Sequence, residues 1–298
     1  MKKLTSTAEL SRDDLHRMVD RALEYATLLA TGDTPPRVLA DRVVANIFFE
    51  ASTRTRLSIE LAAKRLGAHV LTLHPETSSS LKGESFKDTV MTVTSIGAEI
   101  LVVRHPEEGV PQAVHEWTGV PVLNAGDGAG EHPTQALLDA ATLANRFGEV
   151  NGLNIGVVGD IRHSRVAGSL VRVMPTLGAK VMFIGPTSLL PESTPDGIAT
   201  TDDLDSVLAS LDVVYLLRVQ NERGALVATN YEERFRMDRR RSSLMKSEAV
   251  IMHPGPMNRG VEVASEVADG PRSLILSQVR HGVPTRMAVL AELAKSLT

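Results

Sequence analysis

Short runs rich in valine and isoleucine alternate with amphipathic stretches from one end of this 298-residue chain to the other. That rhythm leaves few folds open, because a strand with little polar alternation must be covered on both faces. The strand candidates are Val43–Phe49, Val70–Leu73, Ile100–Arg104, Val122–Asn124, Ile155–Gly159, Val181–Ile184, Val213–Val219 and Val250–His253. Helical candidates between them include Arg56–Arg65, Ser85–Ile96, Pro133–Phe147 and Arg165–Leu177. The alternation predicts an α/β protein with two parallel-sheet domains. The stretch "RFGEVNGLN" marks the boundary, where a helix ends near Gly148 and a strand begins near Leu153. A last helix, Pro284–Thr298, is expected after a Gly-Val-Pro break and could pack on either half.

Composition narrows the function. Net charge is −4, with 36 acidic and 32 basic residues, which argues against a general nucleic-acid binder. Cysteine is absent, so disulfides, thiolate metal sites and a cysteine nucleophile are excluded. No apolar stretch approaches the ~20 residues of a membrane span. The N-terminal "MKKLTSTAELSRDDL" lacks a signal-peptide core, so a cytoplasmic protein is expected.

The apolar run that starts at Val43 stops at Glu50, and Ser52-Thr53-Arg54-Thr55-Arg56 follows. This places hydroxyls and guanidinium groups between the carboxyl end of a strand and the first turn of a helix. Ligands of open α/β sheets bind in that position. Unpaired helical N–H groups and the helix dipole favour an anion there, and phosphate is the natural guest. A serine N-cap followed by two solvated arginines would explain the same letters more blandly.

Other strand ends carry similar residues. Arg104 and His105 follow one strand, and His132, Thr134 and Gln135 open the next helix. In the second half Arg162, His163 and Arg165, then Arg218 and Gln220, then His253 in "HPGP", occupy equivalent places. Any one set is ordinary. Six together, in an acidic chain, predict a cleft between two domains that holds a small molecule with several negative groups. No metal is required, since the histidines fall in different elements without ligand spacing. G-x-S-x-G, a Walker A sequence and a full dinucleotide fingerprint are all missing. Anion clamping without metal, cofactor or nucleophile points to group transfer driven by positioning and charge stabilisation.

In order and spacing, "FFEASTRTR", "RHP", "HPTQALLD", "GDIRHSRVA", "LRVQNER" and "HPGPMNRG" resemble the catalytic chains of the aspartate carbamoyltransferases. The similarity runs from about Leu10 to Leu293. It implies transfer of the carbamoyl group of carbamoyl phosphate to L-aspartate, the second step of de novo pyrimidine synthesis. It also implies a carbamoyl-phosphate domain, 1–148, with 284–298 packed back on it, and an aspartate domain, 149–283.

Carried over by position, Ser52, Thr53, Arg54 and Thr55 would hold the phosphate. Arg104, His132 and Thr55 would face the carbonyl oxygen. Gln135 and the backbone carbonyls of Gly255 and Pro256 would face the carbamoyl nitrogen. Arg165, Arg218 and Gln220 would bind the carboxylates of aspartate. Lys82 and one serine would reach the active site of a neighbouring subunit in a homotrimer. Ser78 is that serine in an ungapped match, and Ser79 or Ser80 with a one-residue gap.

Family members associate with regulatory chains or with dihydroorotase or its inactive relative, so a partner of either kind is implied without being named. "HPGPMNRG" is similar to bacterial members that lack the zinc-bearing regulatory chain. An ornithine enzyme is the nearest rival, but such enzymes carry a cysteine-containing "HCLP" where this chain has "HPGP". A non-catalytic anion-binding scaffold is the other rival, and the intact motif positions weigh against it. The run "RFRMDRRRSS" has no counterpart among the motifs and reads as a solvated helix face.

Overall fold

The structure is a computed structural model, which describes residues 1–219 and 230–297. Its first sheet contains β1 (Lys3–Leu4), β2 (Val43–Phe48), β3 (His69–Leu73), β4 (Ile100–His105) and β5 (Val122–Asp127). These run parallel in the order β1-β5-β4-β2-β3. The helices of this half are α1 (Arg12–Thr31), α2 (Thr53–Arg65), α3 (Phe86–Ser95), α4 (Val110–Thr118) and α5 (Pro133–Phe147).

The second sheet contains β6 (Asn154–Val158), β7 (Lys180–Ile184), β8 (Ala199–Thr201), β9 (Val213–Leu216) and β10 (Val250–Met252). It is parallel in the order β10-β9-β6-β7-β8. With it go α6 (Arg165–Thr176), α7 (Leu204–Val207), α8 (Tyr231–Phe235), α9 (Arg239–Leu244) and α10 (Ser265–Ala268), and α11 (Ile275–Ala294) closes the chain. Met1–Ala141 with Val279–Thr298 form one compact unit, and Thr142–Gln278 the other.

The central strands are apolar for the reason read from the sequence. Along β2, β4 and β5 nearly every residue is buried, as a strand covered on both faces requires. Val90 and Val93 of α3 and Val114 of α4 share one core with Ala45, Ile47, Leu101 and Val103. The second unit has its own core, in which Val158, Val214, Leu216 and Ile251 meet Leu204, Leu208 and Phe235.

Each sheet reverses direction once. From β2 the chain steps outward to β3, then returns to place β4 on the other side of β2. From β6 it steps to β7 and β8, then places β9 on the other side of β6. The loops leaving the two strands on either side of such a switch point diverge, and a crevice opens at their carboxyl ends.

Several elements differ from expectation. The edge strands β1 and β8 have two and three residues, too few for a periodic signal. Pro284 does not start the last helix but lies inside α11, which begins at Ile275. One missing N–H is tolerated because Met287, Ala288, Val289, Leu290 and Leu293 beyond it are buried. The arginine-rich run is not wholly solvated either. Arg241 is buried, and its guanidinium donates to Asp205 Oδ1 at 2.6 Å and to the carbonyls of Arg236 and Glu233 at 2.9 and 2.8 Å.

Gly159, at the end of β6, has φ +125°, and a Cβ there would lie 2.8 Å from the Leu217 carbonyl oxygen. Gly159→Ala is therefore expected to cost about 1–3 kcal/mol. A urea midpoint equal to that of the parent chain would contradict this account.

Candidate active site

In the first unit, β2 delivers Glu50 and α2 begins two residues after Ala51. Ser52 is the N-cap of α2, yet its hydroxyl makes no capping bond. Ser11, Ser85 and Ser164, at the same position of their helices, do accept from a backbone N–H. The bland reading of "STRTR" thus fails at its first residue, and the Ser52 hydroxyl remains available beside the unpaired N–H groups of the first turn. Thr53 and Arg54 are exposed at this end. Crowding by the surrounding protein lowers the Arg54 pKa from its ordinary value, and the group stays cationic at neutral pH.

Thr55 is buried one turn in, with Oγ1 3.4 Å from Nε2 of His132. Arg104, on β4 next to β2, is held by acceptors from two elements. Its Nη1 donates to the Ala125 carbonyl at 3.0 Å, and its Nη2 to Glu50 Oε1 at 2.7 Å. Glu50 therefore offsets a cation that is only 8% exposed. Gln135 follows in the first turn of α5, its backbone N–H donating to the His132 carbonyl at 2.9 Å.

The loop that presents His132 is fixed by buried polar groups. Asn124 donates to the Thr5 carbonyl and to Asp127 Oδ1, both at 2.9 Å, and Asp127 Oδ1 accepts from Glu131 N–H at 3.0 Å. The Glu131 carboxylate accepts from the hydroxyls of Ser6 and Thr7 and from Thr7 N–H. The N-terminal segment, paired with β5 through β1, is thus tied to the loop before His132.

Of the residues expected here, Thr55 and His132 meet, Gln135 follows His132 on α5, and Arg104 stands at the end of β4. His105 does not join them, because its Nδ1 accepts from Glu107 N–H and its ring packs against Phe49 and Phe86. Burial lowers its pKa, against the opposing pull of Glu107 and Glu50. Lys82 is exposed at the end of a 3-10 turn, Ser79–Lys82, and Ser78 donates locally to the Pro75 carbonyl.

In the second unit, Arg165 opens α6 beyond β6, and Arg218 follows β9, the strand across the switch point. Both are half-buried. Gly255 and Pro256 lie in the turn after β10 and are joined by a cis peptide. His253 shapes that turn from within: its Nδ1 accepts from Gly255 N–H at 2.8 Å, and its own N–H donates to Gln278 at 2.9 Å. Gln220 lies outside the described residues. Among the described residues no group of His, Asp and Glu side chains is arranged to hold a metal ion.

Two domain profiles match nearly the whole chain. Residues 2–145 match the carbamoyl-P binding domain of aspartate/ornithine carbamoyltransferases, and residues 151–293 match the Asp/Orn binding domain. The chain belongs to the aspartate/ornithine carbamoyltransferase family. It is 47% identical over 298 residues to the aspartate carbamoyltransferase catalytic subunit of Salinispora arenicola, covering 97% of each chain.

Among solved family members, the aspartate transcarbamoylase of Trypanosoma cruzi with carbamoyl phosphate and aspartate is 32% identical, with a TM-score of 0.89. That match covers 98% of this chain and 96% of the other. The catalytic subunit from M. jannaschii is 34% identical with a TM-score of 0.88, and 99% of each chain is covered.

Sequence reasoning passed over the acids that hold this site. Glu262, fully buried, accepts from Val219 N–H at 3.0 Å and from Asn258 N–H and Nδ2 at 2.6 and 2.9 Å. It ties the segment after Arg218 to the turn carrying Gly255 and Pro256. The signal was a lone acid inside the apolar "GVEVA", a pattern that is rare unless the charge is bonded. Glu262→Gln puts an amide donor against backbone donors. The expected cost is about 1–3 kcal/mol, with faster hydrogen exchange at Val219 and Asn258. Unchanged protection at both amides would refute this role.

Proposed function

We propose that the chain is an aspartate carbamoyltransferase, forming N-carbamoyl-L-aspartate and phosphate from carbamoyl phosphate and L-aspartate. The observation that carries this reading is the uncapped Ser52 at the start of α2, beside the joined Thr55 and His132 and the Glu50-held Arg104. In this reading residues 1–148 with 284–298 serve carbamoyl phosphate, and residues 149–283 serve aspartate.

Ser52, Thr53, Arg54 and Thr55, with the first N–H groups of α2, hold the phosphate. Arg104, His132 and Thr55 donate to the carbonyl oxygen, while Gln135 and the carbonyls of Gly255 and Pro256 accept from the carbamoyl nitrogen. Arg165, Arg218 and Gln220 take the two carboxylates of aspartate, which arginine matches with paired donors.

The neutral amine of aspartate forms the new C–N bond, and negative charge gathers on the carbonyl oxygen. Donors already aimed at that oxygen stabilise the tetrahedral state by roughly 3 kcal/mol each. The C–O bond to phosphate then breaks, its electron pair goes to the leaving phosphate, and Arg54 meets the charge. The phosphate is basic enough to collect the amine proton, so no dedicated protein base is needed.

The family resemblance supports three further assignments. The chain works as a homotrimer in which Lys82 and a loop serine, Ser78 in the ungapped match, complete a neighbour's site. It serves pyrimidine synthesis in the cytoplasm, with no cofactor. Its partner, if it has one, is a regulatory chain or a dihydroorotase-like protein. No described helix is long and apolar enough to cross a membrane, and nucleic acid has no part in the reaction.

Aspartate should be carbamoylated in preference to ornithine and N-acetylornithine. Arg54→Ala should lower kcat roughly 10²–10³-fold with little change in the KM for aspartate. A loss confined to that KM would contradict the phosphate role of Arg54. Sedimentation of the purified chain should give three copies per particle, and a monomer with full turnover would refute the shared site.

A further inference from the structure

We infer that Asp139, buried on α5, is a positioning residue that decides which end of the Gln135 side-chain amide faces the carbamoyl group. This rests on the reading of Gln135 as a ligand of the carbamoyl nitrogen. Asp139 lies one turn after Gln135 on α5 and is fully buried, and it accepts from Gln135 Nε2 at 3.0 Å. An ionised carboxylate only accepts hydrogen bonds, so it must draw the NH₂ end of the amide. The opposite end, Oε1, is then directed away from Asp139. The carbamoyl NH₂ offers hydrogens, and only an amide turned this way can receive one. The two ends of a glutamine amide are nearly equal in size, so packing alone would not choose between them.

The charge of Asp139 acts on a buried cation, Arg286. It lies on α11 and is 3% exposed, with Nη1 donating to the Gly282 carbonyl at 3.0 Å. Burial pushes its guanidinium down to about 10, the charge of Asp139 opposes that fall, and Arg104 adds to it. The guanidinium fits because residue 282 is glycine. A Cβ there would lie 2.6 Å from Nη1 and 3.9 Å from Ser58 Cβ on α2. Holding charged groups this far from water is expensive, and apolar side chains could fill such places at little cost. A task that needs an acceptor-only group explains why the charges remain.

The test is a double-mutant cycle on the full chain with Asp139→Asn, Gln135→Ala and the pair. The asparagine of the first variant can turn its NH₂ toward Gln135. Each single variant is expected to lower kcat/KM for carbamoyl phosphate roughly tenfold to hundredfold. The double variant should be no worse than Gln135→Ala alone, and inhibition by inorganic phosphate should be unchanged in all three. A purely structural Asp139 would instead weaken phosphate binding in step, or its loss would add in full on top of Gln135→Ala.

Either result overturns the inference, as does Asp139→Asn activity within about twofold of the parent. A fully active Gln135→Ala overturns it together with the assigned role of Gln135, while the parent's turnover reports separately on the reaction itself. A second measurement needs no Asp139 variant. The side-chain NH₂ protons of Gln135, assigned by their loss in Gln135→Ala, should exchange slowly in the parent chain, and free exchange would overturn the proposal.

Discussion

Parallel strands point their carboxyl ends the same way, and everything chemical in this chain follows from that constraint. A parallel sheet cannot use hairpins, so most strands here are followed by a helix whose N-terminus sits at the carboxyl edge. That edge therefore collects unpaired N–H groups as well as the side chains at the strand ends. In the first unit it receives the start of α2, Arg104 at the end of β4 and the loop after β5 with His132. In the second it receives Arg165 after β6 and Arg218 after β9. Positive character is concentrated there although the chain as a whole carries −4.

Gathering cations at a half-buried edge raises a problem that the inner residues solve. Arg104 and Arg286 have little contact with water, and a lone buried charge would be strongly destabilising. Glu50 bonds to the first; the Gly282 carbonyl accepts from the second, on which the charge of Asp139 also acts. Glu131 and Glu262 do different work, because both collect backbone N–H groups and so fix the loops rather than the cations. An acid suits that work better than an amide, since it presents only acceptors and cannot be turned the wrong way. The excess of acidic residues is thus partly an inner layer behind a basic rim.

This layering explains what could be read from the sequence. The eight main strands were legible because valine and isoleucine runs covered on both faces have no other stable use in a mixed chain. Arg104, His132 and Arg165 were legible because each interrupts or follows such a run at the same edge. β1 and β8 were not, since two or three residues carry no period and their pairing depends on a neighbouring strand. α11 was shortened at Pro284 because local propensity favours a break, whereas the buried residues beyond it favour continuation. Arg241 was read as solvated because a basic run says nothing about which guanidinium finds carbonyls to enter. Asp139, Glu262 and Arg286 share that difficulty, as a single charge in an apolar segment is read outward until a partner is known.

The same logic bears on why positioning can replace a base or a nucleophile. A donor at the wrong angle to a developing oxyanion contributes little, so in the proposed reaction the value of Arg104, His132 and Thr55 lies in their being fixed before substrate arrives. Arg104 is fixed by Glu50 and the Ala125 carbonyl, and His132 by a loop tied down through Asp127 and Glu131. None of these holding groups needs to touch a substrate. Reorganisation that would otherwise accompany the reaction has been completed during folding, when the acids were buried against their donors. In the proposed reaction, catalysis by placement therefore begins in the layer behind the site, with the basic residues at the strand ends as its outer surface.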